Sequence, residues 1–191
     1  MPVSDSEIIE RVRGGAKHHF ALLVDRYKDK AMTLAMRMLK SHEDAEEATQ
    51  DAFIRAYNAL DKFQGTARFG TWFYRIVYNV CLTRLGKKKD EFDRVDYDDN
   101  REYENPAAST PAADIDFESE DMIIFIKKTI ETLPAKYGTI LTLFYVQDLT
   151  HDEICEVTQL PLGTVKVHLF RARALLQQRL HNELRLEMKA V

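Results

Sequence analysis

Six aromatic side chains, Phe63, Phe69, Trp72, Phe73, Tyr74 and Tyr78, fall within the seventeen residues FQGTARFGTWFYRIVYN that begin at Phe63. The only tryptophan of the chain is among them, Arg68 and Arg75 are interleaved, and Gly65 and Gly70 sit close by. Flat rings beside cations can hold unpaired nucleobases, each stacked base contributing about 1–3 kcal/mol while the cations follow the phosphates. The same rings can also fill an ordinary helical core. A helical wheel from Thr71, turning about 100° per residue, separates the two uses. Trp72, Arg75, Ile76, Asn79 and Thr83 share one side, and Phe73, Tyr74, Val77, Tyr78, Val80, Cys81 and Leu85 share the other. The second set suffices for a core, and Phe69, Phe73, Tyr74 and Tyr78 are read as core. The first set keeps an amide, Asn79, able to pair with a base edge, and a base turned out of its stack needs both a pocket and such edge hydrogen bonds. Arg84 and the run Lys87–Lys89 extend the basic character.

A second block, THDEICEVTQLPLGTVKVHLFRARALLQQRL, spans residues 150–180. Thr150, with Glu153 three residues on, has capping-box spacing and starts a short helix. The turn LPLG follows, and Thr164 lies at the start of a second helix. Val165, Leu169, Ala172, Leu176 and Leu180 line one side of it. Thr164, Val167, Phe170, Arg171, Ala174 and Gln178 face away, with Lys166 and Arg173 at the margins. Between Pro161 and Asn182 there are four Lys or Arg and no acid. An apolar back with a basic and small-polar front at the N-terminal end is the layout of a helix that enters a DNA major groove. A helical hairpin with a solvated basic face is the alternative.

The elements that must position these residues read as helices throughout. SDSEIIERVRGG opens with Ser4 and Glu7 at capping-box spacing and stops at Gly14 and Gly15. Phe20, Leu23, Val24, Tyr27, Ala31, Leu34, Ala35 and Met38 recur at steps of three and four. Ser41 caps the next helix, whose first-turn acids suit its dipole. Further helices are expected near 119–132, 135–146, 150–158 and 162–186, with Pro134 and Pro161 at breaks. No segment alternates with period two, so the fold expected is all-α: two small helical domains joined by a flexible acidic linker, the second carrying the helix-turn-helix.

Charge supports that division. The 191 residues carry a net charge of −4. Residues 1–89 carry 16 Lys and Arg against 11 Asp and Glu, residues 90–121 carry 2 against 13, and residues 122–191 carry 9 against 7. The acid is thus concentrated in a connector that also holds Pro106 and Pro111, and two mildly basic parts flank it. Such a segment buries too little apolar surface to offset its ordering entropy. It is read as a solvated linker, or, more sharply, as an acidic mimic of DNA that shields a basic domain.

The two blocks resemble one family. LTHDEICEVTQLPLGTVKVHLFRARALL is similar to region 4, and SHEDAEEATQDAFIRAYNALDKFQGTARFGTWFYRIVYNVCLTRLGKKK to region 2, of the extracytoplasmic-function group of bacterial RNA polymerase sigma factors. The resemblance covers about residues 18–89 and 120–181. It implies residues 1–89 as a domain for core polymerase binding and for recognition and melting of the downstream promoter element. Residues 90–118 would be the linker, and 119–191 the domain that reads the upstream element as duplex. The helix from Asp44 to Tyr57 would dock on the clamp coiled coil of the largest polymerase subunit, with Asp44, Glu47, Gln50 and Asp51 near the contact; a solvated, self-capping face is the alternative for these four. The polymerase flap is the second docking point implied.

For the downstream element the resemblance implies Phe63, Ile76 and Asn79 around a flipped base, Thr83 one turn on, Trp72 as a stacking face, and Arg68 and Arg75 on phosphates. For the upstream element it implies Thr164, Lys166, Val167, Phe170 and Arg171, where Val167 departs from the small polar residue frequent there. An anti-sigma factor covering both domains, and a role in stress response, are implied as well.

Other chemistries find little support. There is no Walker loop, HExxH, GxSxG or dinucleotide glycine pattern, so no enzyme activity and no cofactor are expected. His151 and Cys155 are four apart on one helix but lack a second pair, and His18 and His19 are read as diverging, so no metal is expected. Cys81 and Cys155 are lone cysteines, which fits a reducing compartment. No apolar run approaches the roughly 20 residues that span a bilayer. The start of the chain lacks a basic and apolar leader. A cytoplasmic protein without membrane insertion is the expectation. A helix-turn-helix repressor or activator acting on duplex alone would leave the aromatic block idle, and a nuclease using the linker carboxylates would lack ordered ligands.

Overall fold

The computed structural model describes residues 3–86, 128–130 and 132–187, without the side chains of 180–187. The acidic connector, and most of the helix expected over 119–132, lie outside the described residues. Everything regular within them is helical, with no strand among them.

The first unit holds four helices: α1 (Asp5–Arg13), α2 (Phe20–Leu39), α3 (His42–Ala59) and α4 (Phe69–Arg84). Their starts are local chemistry. The Glu7 N–H donates to the Ser4 hydroxyl at 3.3 Å, and the Glu7 carboxylate accepts from the Ser4 N–H at 2.9 Å. These bonds satisfy donors that a helix start otherwise leaves open. Ser41 likewise accepts from the Asp44 N–H, at 3.3 Å. Lys40, left-handed at φ 59°, closes α2. The helix α3 buries Ala45, Ala48, Ala52 and Ala56, whose small side chains let α2 and α4 come near.

The expected aromatic core of α4 is present. Phe69, Phe73, Tyr74 and Tyr78 are all buried, with Val77, Val80 and Cys81. The Phe73 ring lies 4.5 Å from Phe53 and stacks on Phe69 at 5.9 Å. Truncating a fully buried Phe costs about 3–5 kcal/mol, so this contact sets how α4 is rotated. Gly70 has a steric reason: a Cβ there would meet Cε1 of Tyr27 at 3.1 Å. The Tyr27 hydroxyl in turn donates to Asp5 at 2.5 Å, joining α2 to α1.

The second unit holds α5 (Ala135–Leu141), which continues into a π-helical turn over Thr142–Val146, then α6 (His151–Thr158) and α7 (Leu162–Glu187). As expected, Thr150 and Glu153 form a capping box at the start of α6. Val165, Leu169, Ala172 and Leu176 of α7 are buried, as the wheel requires.

The two units are packed together, which nothing in the sequence announced: α2 runs against α5 and α4 against α6. Polar ties cross between them among the described residues. Arg37 Nε donates to the Thr142 hydroxyl at 3.3 Å, Gln147 Nε2 to the Lys30 carbonyl at 2.9 Å, and Arg68 pairs with Glu153.

His168 also lies on the inner side of α7. It is buried edge-on against Tyr137, and its Nε2 has no hydrogen-bond partner. Burial, then the charges of Lys136 and Arg171, pull its pKa down from 6.5 to about 4. The unfolded chain therefore takes up this proton more readily than the folded one. Stability is complete above pH 6.5 and falls as pH drops toward 4, by at most about 3 kcal/mol. His168→Leu should flatten the pH dependence of unfolding free energy between pH 7 and 4.5 relative to the parent chain; equal slopes in denaturant titrations would show that His168 does not carry it.

Candidate nucleic-acid interface

Burial of Phe73 and Val77 rotates the other face of α4 outward. Arg75, Asn79 and Thr83 are exposed, and Trp72 and Ile76 are half-buried. These five residues are the side of the wheel set apart from the core. The Thr83 hydroxyl donates to the Asn79 carbonyl at 2.9 Å, one turn back along the helix. Phe63 comes in from the preceding loop. Its ring centroid lies 5.0 Å from Trp72 and 5.9 Å from Phe69, and Trp72 lies 5.6 Å from Phe69. Phe63, Phe69 and Trp72 thus form one cluster at the start of the exposed face.

The loop that delivers Phe63 is fixed from outside. Arg13, at the end of α1, donates Nη2 to the Leu60 carbonyl at 2.8 Å and to the Phe63 carbonyl. Gly65 follows at φ 71°, a conformation that favours glycine. The tie through Arg13 is invisible in the sequence, because it joins residues about fifty positions apart.

Arg68 faces elsewhere than the other α4 candidates. Its guanidinium is held bidentately by the Glu153 carboxylate of α6, Nε to Oε1 at 2.6 Å and Nη2 to Oε2 at 2.5 Å. The Thr71 hydroxyl donates to Oε1 at 2.9 Å, and Thr150 donates its N–H and its hydroxyl to Oε2 at 2.9 and 3.1 Å. Arg68 first, then the Thr150 N–H and the Thr71 and Thr150 hydroxyls, pull the Glu153 carboxyl down from 4.5 to about 2, against the opposing effect of burial. Glu153 is therefore charged at neutral pH, and its contribution, complete above about 4.5, is lost as pH falls from there through about 2. In the sequence Glu153 had only its capping role.

On α3 the four candidates divide. Asp44 and Gln50 are exposed. Glu47 pairs with Arg84 of α4 at 2.8 Å, and Asp51 pairs with Arg55 one turn on at 2.9 Å. Glu43, Glu47, Gln50, Ile54 and Asn58 form an exposed stripe at helical spacing. Ile54 is 61% exposed, a large apolar side chain that sequence reading passed over. Its signal was available, since it continues the polar row rather than the alanine row.

On α7, Lys166 and Val167 are exposed, while Thr164, Phe170 and Arg171 are half-buried. The first turn of α7 contains no acid. Arg173 is committed to the fold: its guanidinium lies 5.1 Å from the centre of the Phe144 ring and 5.6 Å from that of Tyr145. These cation–π contacts pin the π-helical turn to α7.

Among the described residues no group of three or more His, Cys, Asp or Glu is placed to hold a metal ion. His18 and His19, read as diverging, in fact have ring centroids 4.3 Å apart. They follow each other within a tight 3-10 turn, Lys17–His19, and that turn brings the rings together. Burial pushes the Cys81 thiol up to about 12, and burial with Asp152 raises Cys155, so neither is an activated thiolate. No helix among the described residues is long and apolar enough to cross a membrane. Lys87–Lys89 lie outside the described residues.

Comparison with known proteins agrees with this architecture. The family description "Sigma-70 region 2" matches residues 23–91, and "Sigma-70, region 4" matches residues 126–176. The chain is 36% identical over 183 residues to the ECF RNA polymerase sigma factor SigW of Bacillus subtilis, covering 91% of this chain and 95% of that one. It is 35% identical over 176 residues to the ECF RNA polymerase sigma-E factor of Escherichia coli K12, covering 90% and 91%. Among solved structures, CnrH in complex with the cytosolic domain of CnrY shares the fold at TM-score 0.61 and 19% identity, covering 92% of this chain and 96% of that one. The sigma factor RpoE of Bartonella quintana, in complex with the anti-sigma factor NepR, does so at TM-score 0.59 and 21% identity, covering 85% and 96%. With both regions matched in order, and relatives of this identity aligned along nearly the whole chain, the protein belongs to the ECF RNA polymerase sigma factors.

Proposed function

We propose that the chain is a dissociable initiation subunit that binds core RNA polymerase and directs it to promoters with two spaced elements. Residues 1–89 would bind the polymerase and open the downstream element, residues 119–191 would read the upstream element as duplex, and residues 90–118 would join them. The observation that carries this reading is the division of α4. Its core face is complete without Arg75, Asn79 and Thr83, with Trp72 and Ile76 packed only at its edge, so nothing in the fold requires an amide on the outward side. Melted DNA supplies the reason. Phe63, Trp72 and Ile76 offer apolar surface to an unpaired base, the Asn79 amide offers edge hydrogen bonds, and Arg75 offers charge to the backbone. A repressor acting on duplex DNA has no use for such a face.

On α7, Lys166 and Val167 at the exposed N-terminal end, with Thr164, Phe170 and Arg171 beside them, suit entry into a major groove. Val167, 43% exposed, would meet a thymine methyl or another apolar edge rather than a polar one. The α3 stripe suits the clamp coiled coil of the largest polymerase subunit, with Ile54 as an apolar anchor among Asp44, Glu47, Gln50 and Asp51, and the second unit would meet the flap. The two solved structures compared above each hold a partner protein, an anti-sigma factor in one case, and an anti-sigma factor covering the two units is the partner proposed here. The assignment makes the protein a cytoplasmic transcription factor rather than an enzyme.

Reconstitution with core polymerase and candidate promoters tests the whole reading. Specific transcripts that depend on the chain are expected, whereas tight duplex binding without any transcript would point to a repressor. Asn79→Ala should reduce permanganate-reactive, unpaired thymines in the downstream element while leaving polymerase affinity unchanged; equal loss of both would remove Asn79 from base reading. Arg171→Ala should weaken upstream duplex binding by about 1–3 kcal/mol if the side chain reads a base. Unchanged affinity would place it outside the interface. Ile54→Asp should lower core polymerase affinity at least tenfold, or about 1.4 kcal/mol, with no loss of thermal stability. Retained affinity would exclude Ile54 from that contact.

A further inference from the structure

We infer that Arg13 is a positioning residue for reading the downstream element: the last turn of α1 grips the turn that leads into Phe63, and so sets the ring that would meet the unpaired base. The inference rests on the proposed melting role of the α4 face and adds to it a residue and an element. α1 precedes residues 23–91, where the Sigma-70 region 2 description matches, and none of the contact residues implied by the resemblance lies on it.

α1 is anchored along its length. Its middle buries Ile8, Ile9 and Val12. At its start, Asp5 accepts from the Tyr27 hydroxyl at 2.5 Å and pairs with Arg26 of α2. At its end, Glu10 accepts from Arg13 Nη1 at 3.1 Å and aims the guanidinium. Arg13 Nη2 then donates to the Leu60 carbonyl at 2.8 Å and to the Phe63 carbonyl. These carbonyls stand at the end of α3 and of the 3-10 turn Leu60–Lys62 that continues it. Carbonyls at a helix end lack intrahelical partners and carry partial negative charge. A planar guanidinium with donors in a fixed fork suits that place, and charge-assisted bonds are stronger than neutral ones. The Arg13 side chain is 28% exposed, so water competes for these bonds only in part.

The two carbonyls depend on Arg13 unequally. Leu60 also accepts from the Phe63 N–H at 3.1 Å, so the turn persists without Arg13. The Phe63 carbonyl is the one set free. Beyond it Gln64, Gly65 and Thr66 are exposed, with Gly65 at φ 71°. Release of that carbonyl lets the half-buried Phe63 ring swing away from Trp72, whose ring lies 5.0 Å off. The core face of α4, with Phe69, Phe73 and Val77, stays packed. Loss of Arg13 therefore costs recognition rather than folding. A side chain ordered in advance does not have to be ordered when a base binds, and this is what Arg13 supplies.

Trp72, the only tryptophan of the chain, touches Phe63 and reports on it directly. Acrylamide quenching of its fluorescence in the full chain, read well below the unfolding temperature, should rise in Arg13→Met toward the value of Phe63→Ala. Arg13→Lys keeps a charged donor and should fall between Arg13→Met and the parent. Transcription with core polymerase from a promoter library randomised over the downstream element reads the consequence. Arg13→Met should lower the preference for one base at one position by about fivefold or more, the lower end of what a stacked base contributes, with polymerase affinity unchanged. Quenching equal to that of the parent, or a preference kept in Arg13→Met and lost in Phe63→Ala, would overturn the inference and leave the proposed function standing. Equal loss of polymerase affinity would also overturn it, making Arg13 structural only. A parent chain indifferent to every base of the element would overturn that function, and the inference with it.

Discussion

Burial of Phe73 and Val77, both fully inaccessible, between α2 and α3 fixes the rotation of α4, and that rotation decides what the helix offers to solvent. Aromatic packing makes the constraint stiff. Phe73 touches Phe53 and Phe69, and Tyr27 packs against Phe69, Phe73 and Tyr74 from α2. Rotating α4 by a single residue step would bury Asn79 and expose part of this cluster, losing several kcal/mol of apolar burial. The outward face is therefore held by the core without being part of it. The residues proposed to meet melted DNA stand on a rigid helix rather than on a loop, and only Phe63 reaches them from a loop, itself tied down by Arg13.

The second constraint is electrostatic and acts between the units. Glu153 closes the capping box of α6 and clamps Arg68 and Thr71 of α4 with one carboxylate. A largely desolvated carboxylate with so many donors stays charged and firmly placed. The contact is nevertheless reversible, because the guanidinium it holds is open to water and to competing anions. The packing of α2 on α5, through Arg37 and Thr142, shares that polar character.

What was legible in the sequence was what local chemistry determines. The caps at Ser4, Ser41 and Thr150 are contained within three or four residues, and all three form as read. The two faces of α4 and the buried back of α7 follow from period alone, and they too were read from it. Features that depend on residues far apart were not. Arg68 with Glu153, Arg13 with the Leu60 and Phe63 carbonyls, and Gln147 with the Lys30 carbonyl each join positions that no periodicity connects. His168 was likewise missed, since a histidine beside Lys166 and Val167 reads as surface until Tyr137 is seen covering it. For the candidate site, the sequence supplied the members of the α4 face and the α7 front, and the structure supplied the finding that Arg68 is turned away from the rest and already engaged.

The units pack together in the free chain, and reading two spaced promoter elements, as proposed, requires them to part. This is tested by the distance between a label at Ala21→Cys on α2 and one at Gln177→Cys on α7, two exposed positions, with Cys155 replaced by Ser. Pulsed dipolar spectroscopy should give one narrow distance for the free chain, and a clearly longer one once core polymerase and promoter DNA are bound. An unchanged distance in the transcribing complex would contradict the account.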